Sequence, residues 1–279
     1  MLRNKLAVIT GSSRGIGKDI SLMLAKNGCD VVIAGKSVVG TETLPGSIYS
    51  VAEEARKYGV NAYPIKTDLR DTKSIYKMMN YIDTRTKGAD IIINNAGALW
   101  WKGMLDTPSD KYDLVNNINS RASYIISQMA LPNMLKKKWG HIIMHSPPFD
   151  AKNINESLES KILNGKAAYM ISKWGMSITA LGIAHEFKGT GVAANTIWPS
   201  TPIKSYATIN NNIGNAKMWR KPEIICDSIY NILNEDPKEF TGNCLIDEEY
   251  LISKDENTDF SKYQCVPGYE PPKLKELNL

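Results

Sequence analysis

Tyr169 and Lys173 stand four residues apart in the run Tyr169-Met170-Ile171-Ser172-Lys173. In a helix, residues at i and i+4 share a face, so phenol and ammonium can act at one site. A phenol with a pKa of about 10 shuttles protons poorly at neutral pH. A nearby ammonium favours the phenolate and brings that pKa toward the working range, which makes the pair a candidate proton donor and acceptor. Taken alone, the same two residues would also fit an ordinary helix surface.

A second candidate is the run Thr10-Gly11-Ser12-Ser13-Arg14-Gly15-Ile16-Gly17, which follows a short apolar stretch and opens a helical one. Glycines at such a strand-to-helix turn let the backbone approach a pyrophosphate, and the helix then points its amides and positive dipole end at it. Gly11, Ser12, Ser13, Arg14, Gly15, Ile16 and Gly17 are therefore candidate dinucleotide-binding residues. The spacing is GxxxGxG, and a plain glycine turn is the alternative. Asp68-Leu69 and Asn94-Asn95-Ala96-Gly97 end two further apolar runs. They add Asp68, Leu69, Asn95, Ala96 and Gly97 to the same carboxyl edge, where open α/β sheets bind ligands.

With the glycine run from Thr10, Asn94-Asn95-Ala96-Gly97, Asn119 and the Tyr169–Lys173 pair following one another in this order, the chain resembles the short-chain dehydrogenase/reductase family over about residues 5–249. Within it the chain looks most like the hydroxysteroid dehydrogenase-like subgroup. The shared runs are Leu44-Pro45-Gly46-Ser47-Ile48-Tyr49, Ser146-Pro147-Pro148 and Phe240-Thr241-Gly242-Asn243. The sterol-carrier domain that often follows there does not lie within these 279 residues, and the last three are Leu277-Asn278-Leu279 rather than a peroxisomal Ser-Lys-Leu. The resemblance implies hydride transfer between a nicotinamide and a carbonyl or alcohol, with Tyr169 as the proton donor and acceptor. It implies that Lys173 also holds the ribose hydroxyls and that Asn119, in Asn119-Ser120-Arg121-Ala122, supports a proton relay. Asn116 and Asn117 compete for that last role. Pro199 joins the cofactor-binding set, and a dimer or tetramer of identical chains is expected.

One departure bears on mechanism. The family usually has Ser-Ser after the fifth strand, and a Ser there hydrogen-bonds the substrate carbonyl. Here Pro147 or Pro148 takes that place, and proline donates nothing. Either Ser146 serves as the carbonyl donor, or another group does, or the site is weakened. The weakened case leaves a rival reading, a non-catalytic NADP(H)-binding sensor or scaffold.

Charge argues the cofactor. An NAD enzyme places Asp or Glu at the end of the second strand for the ribose 2′-hydroxyl. This chain has Gly35 there, then Lys36, with Arg14 in the glycine loop. Cations attract a 2′-phosphate that a carboxylate would repel, so NADP(H) is expected, with NAD(H) second. Leu99, Trp100, Trp101, Phe149, Trp198, Tyr206, Met218 and Trp219 follow cleft-facing motifs and suit an apolar substrate, or belong to core or interface.

The elements that must position these residues follow from periodicity. Short apolar runs at 5–10, 30–34, 61–67, 90–94, 141–145, 192–197 and 244–247 suit strands buried on both faces. Helical stretches cover 15–27, 47–58, 72–86, 109–136, 166–187 and 221–234. The alternation predicts an α/β fold: a doubly wound, mostly parallel seven-stranded sheet of Rossmann type with helices on both faces. A single domain over 1–254 is expected, with a polar tail over 255–279 that wraps the surface or frays. Long loops are expected at 35–46 and 147–165.

Composition is that of a globular protein, 43% hydrophobic and 23% charged, which excludes a disordered chain or a coiled coil. A net charge of +5 is too small to imply a nucleic-acid partner. The run Lys136-Lys137-Lys138 reads as a helix C-terminus facing solvent. Four scattered cysteines and three histidines give no metal-ligand spacing, so no metal site is expected. The first apolar run is too short for a signal-peptide core or a membrane span, and a reducing cytoplasmic location is expected.

Overall fold

The computed structural model describes residues 2–149, 152 and 163–277. Much of the long connection expected at 147–165, like Met1 and the last two residues, lies outside the described residues. Seven strands form one sheet: β1 Leu6–Thr10, β2 Asp30–Gly35, β3 Ala62–Lys66, β4 Ile91–Asn94, β5 Gly140–His145, β6 Val192–Trp198 and β7 Cys244–Ile246. Their order is β3-β2-β1-β4-β5-β6-β7, and every pairing is parallel, where the sequence promised only a mostly parallel sheet. The chain winds outward from β1 in both directions. The crevice between the carboxyl ends of β1 and β4 is therefore the topological switch point.

β1 shows why its residues form a central strand. Ala7 and Ile9 pack into the core on one face, and Leu6 and Val8 into the core on the other. Residue types with no polar group suit a strand covered on both sides. The first face is covered by α1 Gly15–Lys26, α2 Ile48–Arg56 and α8 Glu223–Leu233, which follows the short α7 Tyr206–Asn210, through Ile20, Leu24, Val51, Ile225 and Ile229. The second is covered by α3 Thr72–Arg85, α5 Ala122–Lys137 and α6 Ala167–Glu186, through Ile75, Met79, Ile126, Met134 and Met176. Gly28 and Gly59 take left-handed φ of +80° just after α1 and α2, where a stop residue is expected. Ser47 caps α2 in a reciprocal box with Ser50, each side chain accepting the other's backbone N–H at 3.0 Å.

One departure matters for function. The helix expected over 109–136 is broken into α4 Ser109–Asn116, a π-helical turn Asn117–Arg121, and α5. Such a turn adds a residue to the helix and often marks a working site. The segment beyond α9 Asp247–Lys254 packs on the domain as far as it is described. Arg220, 1% exposed, donates through Nε to Glu248 at 2.6 Å and through Nη1 to the Phe260 carbonyl at 3.1 Å, and pairs with Glu270. Tyr263 lies in the first core cluster and donates its hydroxyl to Asp227 at 2.6 Å. A buried guanidinium needs such partners, so the tail completes the shell around Arg220. All four cysteines are free thiols.

Candidate active site

The glycine loop joins β1 to α1. Gly11 at φ +67° and Gly15 at φ +55° use the region that other residues avoid. Gly17 is fixed by packing: a Cβ there would stand 2.5 Å from the Gly11 carbonyl oxygen and 2.6 Å from Asn95 Nδ2. Arg14 precedes α1 with no side-chain cap, so the first amides of α1 remain available to an anion. Thr10 ties this loop to β4, its hydroxyl accepting the N–H of Asn95 and of Ala96, both at 3.1 Å. Asn95 returns a bond from Nδ2 to the Thr10 carbonyl at 3.0 Å. Thr10 was not among the sequence candidates, and its place directly before Gly11 was the available signal.

The loop opens a cleft of about 720 Å³ along the carboxyl edge. It is lined by Gly11, Ser13, Arg14, Gly15, Ile16, Gly17, Lys36, Asp68, Leu69, Asn95, Ala96, Gly97, Tyr169, Lys173 and Pro199. Its size suits an extended small molecule. Ser12 is turned inward instead, fully buried, donating to the carbonyls of Ile9 at 2.7 Å and Ala34 at 3.4 Å. Asn119 lies behind the cleft wall on the π turn. Its Oδ1 accepts the Ala98 N–H at 2.7 Å, and its Nδ2 donates to Ser172 Oγ at 2.8 Å and the Ala98 carbonyl at 3.1 Å. Asn116, by contrast, is spent on the Tyr112 carbonyl at 2.9 Å.

Lys173 Nζ donates to the His145 carbonyl at 2.8 Å and would lie 3.4 Å from a Cβ on Gly97. Burial lowers its pKa to about 7. Burial pushes the Tyr169 phenol the other way, above its usual value. With burial as the cause, the phenol is protonated at neutral pH unless positive charge is added beside it. His145, which the sequence argument did not single out, lines the cleft and bonds Asn95 Oδ1 through Nδ1 at 3.3 Å. Burial, then Lys173, lowers its pKa to about 3, so its ring is neutral.

Ser146 does not reach the cleft. It is fully buried, and its hydroxyl accepts from Ser177 Oγ at 3.0 Å. The same Ser177 hydroxyl lies 2.6 Å from the Pro147 carbonyl, so its one proton is shared between these two acceptors. Ser146 sits at the turn where β5 ends, and α6 supplies its hydrogen-bond partner.

At the outer end, Arg14 donates to the carbonyls of Leu44, Pro45 and Gly46 at 3.2–3.3 Å. It therefore holds the 36–47 loop as well as facing the cleft. Arg70, missed although it directly follows Asp68-Leu69, also lines the cleft and grips Asp68 with Nε at 2.9 Å and Nη2 at 2.5 Å. That bond, with Lys36 nearby, holds the Asp68 carboxyl down at about 2. Of the aromatic candidates, Trp198 and Tyr206 line the cleft, as does Leu99. Trp101 meets Tyr169 edge-on with ring centroids 6.1 Å apart. Trp219 is 9% exposed and spends its N–H on the Ile213 carbonyl at 2.7 Å. Among the described residues no helix is long and apolar enough to cross a membrane.

Comparison with known proteins agrees with this geometry. The short chain dehydrogenase family profile matches residues 5–212. Hydroxysteroid dehydrogenase-like protein 2 of Bos taurus is 40% identical over 262 residues, 94% of this chain and 60% of that protein. The protein of that name from Homo sapiens is 40% identical over 263 residues, with the same coverage. The chain thus spans about 60% of the length of these curated relatives. A solved structure from Xanthomonas campestris superposes with a TM-score of 0.89 at 35% identity, covering 98% of this chain and 97% of that one. A metagenomic short-chain oxidoreductase in complex with NADP shares the fold, with a TM-score of 0.70 at 24% identity over 88% of this chain and 97% of that one. With sheet order, glycine loop and Tyr169–Lys173 helix in one cleft, and a family profile covering most of the chain, this protein belongs to the short-chain dehydrogenase/reductase family.

Proposed function

We propose that the protein is an NADP(H)-dependent oxidoreductase acting on a small apolar carbonyl or alcohol. The observation that carries this reading is that Tyr169 and Lys173 face the same cleft as the glycine loop. The residues fit a dinucleotide: uncapped amides at α1 for the pyrophosphate, Asp68 and Leu69 at the adenine end, and Lys173 for the ribose. When bound, the cofactor supplies or accepts the hydride. Tyr169 Oη gives its proton to the carbonyl oxygen in reduction and takes it back in oxidation. Burial raises the phenol, so oxidation needs added positive charge beside Tyr169, and an oxidised nicotinamide carries that charge. Lys173 holds the ribose side and feeds the proton path. Asn119 fixes Ala98 and Ser172 on either side of it.

Lys36 and Arg14 give the outer cleft positive charge, while Arg70 is matched there by Asp68, which supports NADP(H) over NAD(H). A homo-oligomer in the cytoplasm remains part of this proposal, with no nucleic-acid partner. The buried Ser146 hydroxyl favours a second reading, a cofactor-binding sensor or scaffold without turnover. Oxidation of NADPH against a set of apolar aldehydes and ketones separates the two. Tight NADPH binding with no turnover of any of them supports the sensor.

A further inference from the structure

One wall of the cleft is the run 199–211, which follows β6 and brings Pro199, Ser205, Tyr206, Ala207, Asn210 and Asn211 to the cleft. Its first half lies beyond the sheet. Among the described residues, the long-range backbone hydrogen bonds of 199–204 go to Asp247, Leu274 and Arg220. The Ser200 N–H donates to Asp247 Oδ1 at 2.7 Å, and the Ser200 carbonyl accepts the Leu274 N–H at 2.8 Å. The Pro202 carbonyl accepts the Arg220 N–H at 2.9 Å, and the Lys204 N–H donates to the Arg220 carbonyl at 2.8 Å.

These three anchors belong to one network. Arg220 Nε donates to Glu248 Oε1 at 2.6 Å, and Arg220 also pairs with Glu270 in the tail. Glu248 follows Asp247 at the start of α9 and pairs with Lys273, the residue before Leu274. Gln264 bridges the Arg220 backbone and donates from Nε2 to Glu270 Oε2 at 3.1 Å. Arg220 and Glu248 are 1% and 5% exposed. Charges this deep must stay paired, so the tail is held in one place over the start of α9. From there Leu274 reaches back to the cleft wall at Ser200.

We propose that the segment Gln264–Leu274 is a strap that positions the 199–211 wall, with Glu270 and Lys273 as its positioning residues, and so sets the affinity of the cleft for dinucleotide and substrate. For the substrate this rests on the oxidoreductase reading above; for the dinucleotide it needs only the cleft. If the wall is in its binding position for only part of the time, apparent affinity falls by that fraction.

The test is the double variant Glu270→Ala/Lys273→Ala in the full chain. Their side chains are 61% and 38% exposed, and Arg220 keeps Glu248 and the Phe260 carbonyl, so no buried charge is stranded. Arg220→Met would strand Glu248 and is avoided. Amide hydrogen exchange across 199–211 should speed up by about 10-fold, and the Kd for NADPH should rise by about the same factor at unchanged stoichiometry. With 9,10-phenanthrenequinone, an apolar dicarbonyl, as probe, KM should rise by about 10-fold and kcat should stay within about 3-fold. Wild-type exchange across 199–211, or faster exchange with an unchanged Kd or KM, overturns the inference. So does a lower stoichiometry at unchanged Kd, the mark of a merely structural role. Wild-type protein that binds NADPH and reduces no carbonyl contradicts the oxidoreductase reading, and exchange and Kd then decide this inference by themselves.

Discussion

Asn119 and Ser172 are joined by a 2.8 Å hydrogen bond, from the amide of one to the hydroxyl of the other, and so link the π turn to the helix that carries Tyr169 and Lys173. Ser172 in turn donates to the Tyr169 carbonyl at 2.6 Å. The same amide clamps both backbone polar groups of Ala98, just after Gly97. The side chain is fully buried, so each of these partners depends on it.

Asn119→Ala should therefore strand the half-buried Ala98 N–H and carbonyl and remove the donor to the buried Ser172 hydroxyl. The expected loss of stability is about 2–3 kcal/mol, given about 1–3 kcal/mol for each buried group left unpaired and partial relief by water. Urea midpoints at constant slope measure it. A loss below about 0.5 kcal/mol would show that the clamp adds nothing.

Tyr169→Phe removes one hydroxyl and little volume. NADPH affinity should stay within about 3-fold, since the ring remains against Trp101. Turnover of any accepted carbonyl should fall by about 100-fold to 10,000-fold, the usual worth of a placed proton donor. Wild-type turnover in this variant would refute the assignment.

Lys36 and Arg14 should behave differently. Lys36 is exposed at the cleft rim, so Lys36→Ala should weaken NADPH by about 10-fold and leave NADH unchanged, near the low end for a charge-assisted contact. Arg14 also holds the carbonyls of residues 44–46, so Arg14→Ala should weaken both cofactors. Titrations at fixed salt distinguish them. An Arg14→Ala variant that loses affinity for NADPH alone would mean that the loop contacts do not shape the site.

The glycine loop, the Tyr169–Lys173 pair and the Asn95–Gly97 turn were legible because each is a local pattern ending an apolar run or starting a helix. The sheet was legible for the same reason, since strands buried on both faces leave short Val- and Ile-rich runs. What escaped depends on partners far along the chain. Arg14 meets carbonyls about thirty residues away, Ser146 is taken by Ser177, and Arg220 recruits the tail. The π turn escaped because its residues, Asn117 to Arg121, suit an unbroken helix equally well.

Lys173 gives a pH signature in stability. Its folded pKa, lowered to about 7 by burial, lies below the usual lysine value of 10.5. Between these values the unfolded chain binds more protons than the folded one, so stability rises as pH climbs through that window. The stability of wild type relative to Lys173→Met should increase from pH 7 to pH 10, by up to about 1.4 kcal/mol per unit. Parallel curves for the two proteins would show that the ammonium is not desolvated.

The central claim is that this cleft reduces carbonyl compounds with NADPH. It is tested most directly by following NADPH absorbance with wild-type protein and an apolar aldehyde or ketone, beside Tyr169→Phe under the same conditions. The account predicts turnover by wild type, a much slower rate with NADH, and loss of nearly all turnover in Tyr169→Phe. Equal rates in the two proteins, or NADPH binding with no oxidation by any carbonyl tried, would contradict it.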